Sequence, residues 1–211
     1  MAEVSVLKRR PGLPLFVWPL VALAGVAVLA LGAGLGYGVW SKSHSLIGTS
    51  MRMDPAPNFT LINQQGQQVS LADFRGKPVV LTFLYTHCPD VCPIIADKLR
   101  NATDKLGADG SKVAILAITT DPTHDDRLSI ERFSEQHGMT GRWSYLIGSP
   151  SQLEPVWKSY YVAAQLLPST EVIHTAAVYV IDKQGRERVY LDGGDFLPDE
   201  LVHDLRLLMA E

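Results

Sequence analysis

Two nearly unbroken apolar runs set the frame for this chain, Val79–Tyr85 (Val-Val-Leu-Thr-Phe-Leu-Tyr) and Val113–Thr119 (Val-Ala-Ile-Leu-Ala-Ile-Thr). Both are rich in aliphatic and β-branched residues and neither shows the alternation of a half-solvated strand, so each predicts a strand buried on both faces. Between them, Ile94–Leu106 carries apolar side chains at helical spacing. Strand, helix, strand with both strands apolar on two faces implies a right-handed parallel unit whose sheet is covered on each side. This is an α/β chain.

Both cysteines of the protein fall at the end of the first of these strands, in Tyr85-Thr86-His87-Cys88-Pro89-Asp90-Val91-Cys92-Pro93. Four residues apart at a helix entry, Cys88 and Cys92 share one face, within reach of one ion or of each other. Pro89 suits a first helical position, where its missing N–H costs nothing. The positive end of the helix is expected to lower both thiol pKa values. A disulfide here would close too small a loop to restrain much of the unfolded chain, so the pair points to chemistry rather than stapling. Asp90, between the cysteines, suits the helix dipole and is also placed to modulate thiolate charge or meet a partner. His87 is one candidate for a further ligand, although adjacent residues on a turn tend to point apart.

The N-terminal region has a different character. Leu13–Trp40 holds no charged residue, enough for the roughly 20 helical residues that cross a bilayer. Its length exceeds the apolar region of a cleaved signal, with cleavage near Ala30–Ala33 the minor alternative. Lys8, Arg9 and Arg10 precede the run and few cations follow it, so the positive-inside bias keeps the N-terminus in the cytoplasm. The expected organisation is a cytoplasmic tail (1–12), a transmembrane anchor (13–40), a linker (41–57) and an outer domain (58–211). No Arg- and Ser-rich transit pattern is present, which favours a bacterial inner membrane with the domain in the periplasm. The first fifty residues carry +3 and the remainder −6, and an acidic domain without a basic stripe argues against nucleic acid. Met51 and Met53 in the linker are soft thioether donors that read first as domain-edge residues.

Along the domain, Phe59–Ile62 and Gln67–Ser70 flank Asn63-Gln64-Gln65-Gly66 as a hairpin. A short helical turn covers Leu71–Pro78. The loop Thr120-Asp121-Pro122-Thr123-His124-Asp125-Asp126 follows the second apolar strand, at the sheet edge where functional groups gather. It makes Asp121 a candidate supporting residue beside the cysteines, although Asp before Pro is first a turn former. A helix from about Arg127 to His137, a strand at Trp143–Leu146 and a helix from Ser151 to Tyr160 capped by Ser151 come next. Val178–Ile181 and Arg188–Leu191 pair through Asp182-Lys183-Gln184-Gly185, and a closing helix runs over Leu201–Met209. His174 stands just before the late strand, and position alone assigns it no role. The order of elements is that of a thioredoxin-like domain, a mixed central sheet flanked by helices.

Cys88-Pro89-Asp90-Val91-Cys92-Pro93 after a strand, Thr120-Asp121-Pro122 after the next, and Ile173-His174 before Tyr179-Val180-Ile181-Asp182 together resemble the Sco/SenC family. The resemblance covers the domain from Pro57 onward. It implies a thioredoxin-like fold and copper delivery to the dinuclear Cu-A site of cytochrome c oxidase subunit II. The implied ligands are Cys88, Cys92 and His174; Asp121 and Asp90 stand beside them as supporting candidates by position alone. Two thiolates suit Cu(I), and an imidazole is acceptable to Cu(I) and Cu(II) alike. Structural zinc would want a fourth protein donor, which no further cysteine supplies. The implied partners are subunit II, an upstream periplasmic copper donor, a thiol-disulfide reductant and the membrane. His44, His124, His137 and His203 read as surface residues.

Three other functions compete. A tethered thiol-disulfide oxidoreductase acting on the Cu-A cysteines through the Cys88–Cys92 pair needs no third ligand, and His174→Ala separates it from a carrier. A thiol peroxidase is disfavoured, because Pro89 stands where that family places an activating Thr or Ser before the cysteine. A copper or redox sensor is not distinguished from a carrier by sequence.

Overall fold

The computed structural model describes residues 22–33, 45–166 and 172–211, with the backbone alone at 165–166 and 172–174. The chain divides into two units, residues 1–45 and 46–211. In the first, residues 22–33 form helix α1 with every side chain exposed, including Leu23, Val26 and Leu29. Among the described residues no helix is long and apolar enough to cross a membrane. The tail (1–12) and the rest of the expected anchor (13–40) lie outside the described residues.

The second unit runs through β1 (Thr49–Ser50), β2 (Thr60–Asn63), β3 (Gln68–Ser70), a 3-10 turn at Leu71–Phe74, and β4 (Val79–Leu84). Then follow α2 (Val91–Leu106), β5 (Ala114–Thr119), α3 (Arg127–Gln136), β6 (Ser144–Ile147) and α4 (Pro150–Ser159). The last part holds β7 (Ala164–Leu166), β8 (Val172–His174), β9 (Ala177–Ile181), β10 (Glu187–Asp192) and α5 (Pro198–Ala210). One sheet takes the order β1-β10-β9-β4-β5-β6-β2-β3. Its centre β4-β5-β6 is parallel, while β9, β10 and β2 join antiparallel. It is thus the mixed sheet with flanking helices that the order of elements predicts.

Strand alternation splits the core into two layers. Val80, Leu84, Ile115, Ala117, Val178 and Val180 point to the face covered by α2, α3 and α5. Val79, Leu81, Phe83, Leu116, Ile118 and Tyr179 point to the other, under α4. Leu81, Phe83, Leu116 and Ile118 are wholly buried, each stabilising the fold by about 1.5–3 kcal/mol. Covering on both faces is why these strands read as continuous apolar runs.

Several local expectations shift. α2 begins at Val91, so Pro93 rather than Pro89 occupies its first turn, where the absent N–H has no partner to lose. Ser149 rather than Ser151 is the cap of α4, its backbone N–H donating to Gln152 Oε1 at 2.9 Å. His174 closes β8, whose hairpin with β7 pairs it with Ala164 and escaped the sequence reading because both strands are so short. Part of the segment read as a linker is built into the sheet: β1 pairs with β10, and the Ala56 N–H donates to the Gly185 carbonyl at 2.9 Å. Met51 packs against the core there, leaving it little freedom as a metal donor.

Candidate metal centre

β4 and β5 end in register, Leu84 opposite Thr119, with Thr120 N donating to Leu84 O at 2.8 Å. The cysteine turn and the Thr120–Asp126 loop therefore leave the sheet side by side, as the parallel unit requires. The chain reverses at Thr86–Asp90, with Cys88 N reaching Tyr85 O at 3.4 Å, and Cys92 enters α2 at its second position. Cys88 is 8% exposed and Cys92 wholly buried, both in the thiol form. The two side chains hydrogen-bond each other, so one small ion or one S–S bond is within their common reach.

The expectation of lowered thiol pKa values reverses at Cys92. Burial pushes it up strongly, the hydrogen bond and charge of Cys88 and the Asp125 carboxylate add to the rise, and the Tyr85 backbone works the other way. Desolvation in a close-packed layer beside Ile95 and Ala96 outweighs the partial charge of a helix end. A soft cation, which replaces the proton and delivers its own positive charge, is one means of making that sulfur a thiolate.

Asp125 is the residue that sequence reasoning missed. Buried at 5% exposure, its Oδ1 accepts from Thr86 N at 2.9 Å and Thr86 Oγ1 at 2.7 Å. Its Oδ2 accepts from Thr119 Oγ1 at 2.6 Å and Tyr145 OH at 2.9 Å. One carboxylate thus joins the cysteine turn to the end of β5 and to Tyr145 of β6. Burial raises its pKa, and the hydrogen bonds from Thr119 and Thr86 oppose the rise. A signal was present, since only one of Asp125 and Asp126 can cap α3. Asp126 does so, accepting from Ser129 N at 2.7 Å, which leaves Asp125 to face inward.

Asp121 is buried, as a supporting residue would be, but its carboxyl is taken by its own loop. Oδ1 accepts from Thr123 N and His124 N, and Oδ2 lies 2.8 Å from His124 Nδ1. Asp90 is exposed and sits at the cap position of α2 without a side-chain capping bond. His87 is exposed, its Nδ1 3.1 Å from Thr86 Oγ1 and its ring 6.2 Å from that of His124. His124 is exposed, as expected, though paired with Asp121, whereas His137 is half-buried with its Nδ1 3.1 Å from Asp97 Oδ1. Among the described residues no three His, Cys, Asp or Glu side chains gather as one metal site, so His87 does not complete a triad with the sulfurs. His174 is described by its backbone only, and the convergence of its ring on the cysteines lies outside the described residues.

A family profile for SCO1/SenC matches residues 49–210, nearly the whole of the second unit. The chain belongs to the SCO1/SenC family. It is 27% identical over 153 residues to the SCO1 protein homolog of Bacillus subtilis, covering 70% of this chain and 79% of that protein. It is 34% identical over 160 residues to the mitochondrial SCO2 homolog of Mus musculus, covering 72% of this chain and 62% of that one, less than two thirds of its length. The solved structure of Bradyrhizobium japonicum ScoI with copper bound superposes at a TM-score of 0.62 and 31% identity, over 74% of this chain and 99% of that one. For the SCO1/SenC chain described here, the shared fold agrees with the thioredoxin-like architecture expected from element order.

Proposed function

We propose that this SCO1/SenC chain is a membrane-anchored copper carrier that delivers its ion to the Cu-A site of cytochrome c oxidase subunit II. Cys88 and Cys92 supply two thiolates and His174 the imidazole. The observation that carries the reading is the pair of buried, mutually hydrogen-bonded thiols at the end of β4, in a chain of this family. The donor chemistry fits: thiolates favour a soft ion, and an imidazole tolerates both copper oxidation states. A three-donor site at a loop edge can pass its ion on by ligand exchange without unfolding. The anchor at 13–40 would hold the domain at the periplasmic face of a bacterial inner membrane, beside an upstream copper donor and a reductant for the thiols.

The test is anaerobic copper titration of the reduced full chain in detergent, followed through sulfur-to-copper charge-transfer absorption. One copper per chain is expected, with at least tenfold weaker binding after Cys88→Ser, Cys92→Ser or His174→Ala. Titration that leaves copper unbound overturns the reading. A second reading, a thiol-disulfide reductase for the acceptor's cysteines, is favoured by the same hydrogen-bonded sulfur pair.

A further inference from the structure

A small cleft opens beside the cysteine turn and takes no part in the proposed copper site. It measures about 180 Å³ and is lined by Thr86, His87, Ser129, Arg132, Phe133 and Gln136. Thr86 and His87 belong to the turn itself, His87 being the residue before Cys88. The other four fall at i, i+3, i+4 and i+7 along α3, which is one face of that helix. Apart from buried Phe133, every lining residue is polar.

Hydrogen bonds within the fold already engage most of these groups. The Thr86 hydroxyl donates to Asp125 Oδ1 at 2.7 Å, and His87 Nδ1 lies 3.1 Å from that hydroxyl. The Ser129 hydroxyl reaches the Asp126 and His124 carbonyls at 2.9 and 3.2 Å. Arg132 and Gln136 differ. Both are exposed, and among the described residues Arg132 forms no ion pair and the Gln136 side chain no hydrogen bond. The carboxylates around them are engaged elsewhere. Glu131 pairs with Arg127 at 2.7 Å, and Glu131 and Glu135 line a separate cleft with Gln64 and Thr140. Asp126 feels the charge of Arg132, but its carboxylate caps α3 on Ser129 N. Asp125 is buried under four donors. What remains is a cationic, donor-bearing notch in a stretch, residues 51–211, whose formal charge is −6.

Charge and size together choose the occupant. A guanidinium without an ion-pair partner presents parallel N–H donors that match a carboxylate. The cleft is smaller than the roughly 300 Å³ at which small-molecule pockets begin, so it fits the head of one side chain rather than a free metabolite. We infer that Arg132, with Gln136 beside it, receives an Asp or Glu side chain of the protein that exchanges with Cys88. The inference rests on the proposed function, carrier or reductase, in which an acceptor's sulfur must come up to the cysteine pair. Cys88, at 8% exposure, is the more accessible of the two sulfurs and directly follows His87. A carboxylate seated on Arg132 therefore holds a neighbouring thiol of the acceptor against the turn. Arg132 acts in docking and takes no part in holding the metal.

The test is thiol exchange between the reduced full chain in detergent and short peptides, each with one cysteine activated as its mixed disulfide with thiopyridine. The Cys88 thiolate attacks the peptide sulfur: a Cys88–peptide S–S bond forms, the peptide–thiopyridine S–S bond breaks, and thiopyridone leaves with the proton that Cys88 gave up. Its absorption reports the rate. Peptides with Glu one, two or three residues from the cysteine are compared with their Gln and Lys counterparts. At low salt the best Glu peptide should react about fivefold faster than its Gln counterpart, the upper range for an exposed ion pair, and high salt should shrink the ratio. Arg132→Ala should bring the ratio to about one, whereas Arg127→Ala, which removes a charge from the same helix, should preserve it. Equal rates for the Glu and Gln peptides in the wild-type chain, or a ratio that survives Arg132→Ala, overturns the inference. Copper titration of Arg132→Ala should match the wild type, and weaker binding there would also overturn it by placing Arg132 at the metal. The carrier reading is decided separately, since it fails only if the wild-type chain leaves copper unbound, whatever the peptides do.

Discussion

Thr86 and Asp125, 39 residues apart, are joined twice: backbone N–H and side-chain hydroxyl of the threonine both donate to the same carboxylate oxygen, at 2.9 and 2.7 Å. The turn that carries Cys88 is thereby tied to the loop after β5. Asp125→Ala would strand these donors together with the hydroxyls of Thr119 and Tyr145, at about 3 kcal/mol for groups left unsatisfied in a buried layer. Denaturant melts should show that loss, and alkylation of Cys88 should accelerate as the turn loosens. An unchanged melt would mean that the turn holds itself.

Carrier and reductase part at His174. Replacing it by Ala should lower copper affinity at least tenfold, about 1.4 kcal/mol, while the rate of disulfide exchange with a model dithiol stays within about twofold. Loss of exchange with retention of copper would reverse the two readings.

Arg188 sits between two carboxylates. It donates to Asp182 Oδ2 at 3.2 Å and to both oxygens of Glu211, one of them at 2.8 Å, fastening the end of α5 to the sheet. Arg188→Ala would leave buried Asp182 with less compensation and free the helix end, a cost of about 3 kcal/mol measurable by denaturant titration.

The same cluster sets a pH dependence. The Arg188 hydrogen bond holds Glu211 below its ordinary value. Burial would raise Asp182, but hydrogen bonds from the Arg186 backbone and side chain and from Arg188 outweigh it and hold it low. At these two groups the unfolded state binds more protons than the folded one, so their contribution to stability is complete above about pH 4.5, the ordinary glutamate value, and is lost as pH drops through the folded values. Asp125, Asp204 and Glu187, raised by burial, act in the opposite sense. Between pH 6 and pH 3 the thermal midpoint of the wild type should lose ground relative to that of Glu211→Gln, the difference shrinking as Glu211 is protonated.

Asp204, wholly buried in α5, accepts from Ile47 N at 2.7 Å and Gly48 N at 3.1 Å. Through it the segment entering β1 is held against the domain. Asp204→Ala should destabilise by about 2 kcal/mol and speed hydrogen exchange at those two amides. Protection that persists there would place the restraint on β1 itself.

What the amino-acid sequence determined on its own is what local periodicity encodes. The apolar runs at 79–85 and 113–119, with a helical pattern between, fixed a parallel unit, and the position of Cys88 and Cys92 followed from where the first run stops. Burial on both faces leaves no alternation to mistake, and that is a property of neighbouring residues. Tertiary structure alone decided the rest: that Cys92 is wholly buried and its thiol pKa raised, that Asp125 rather than Asp121 braces the cysteine turn, and that His87 meets His124. Asp125 lies in a polar loop whose composition suits water as well as it suits a buried hydrogen-bond hub. Only the pairing of β4 and β6 on either side of β5 brings Thr86 and Tyr145 to join Thr119 around it, and contacts between separate strands leave no trace in any single stretch of chain.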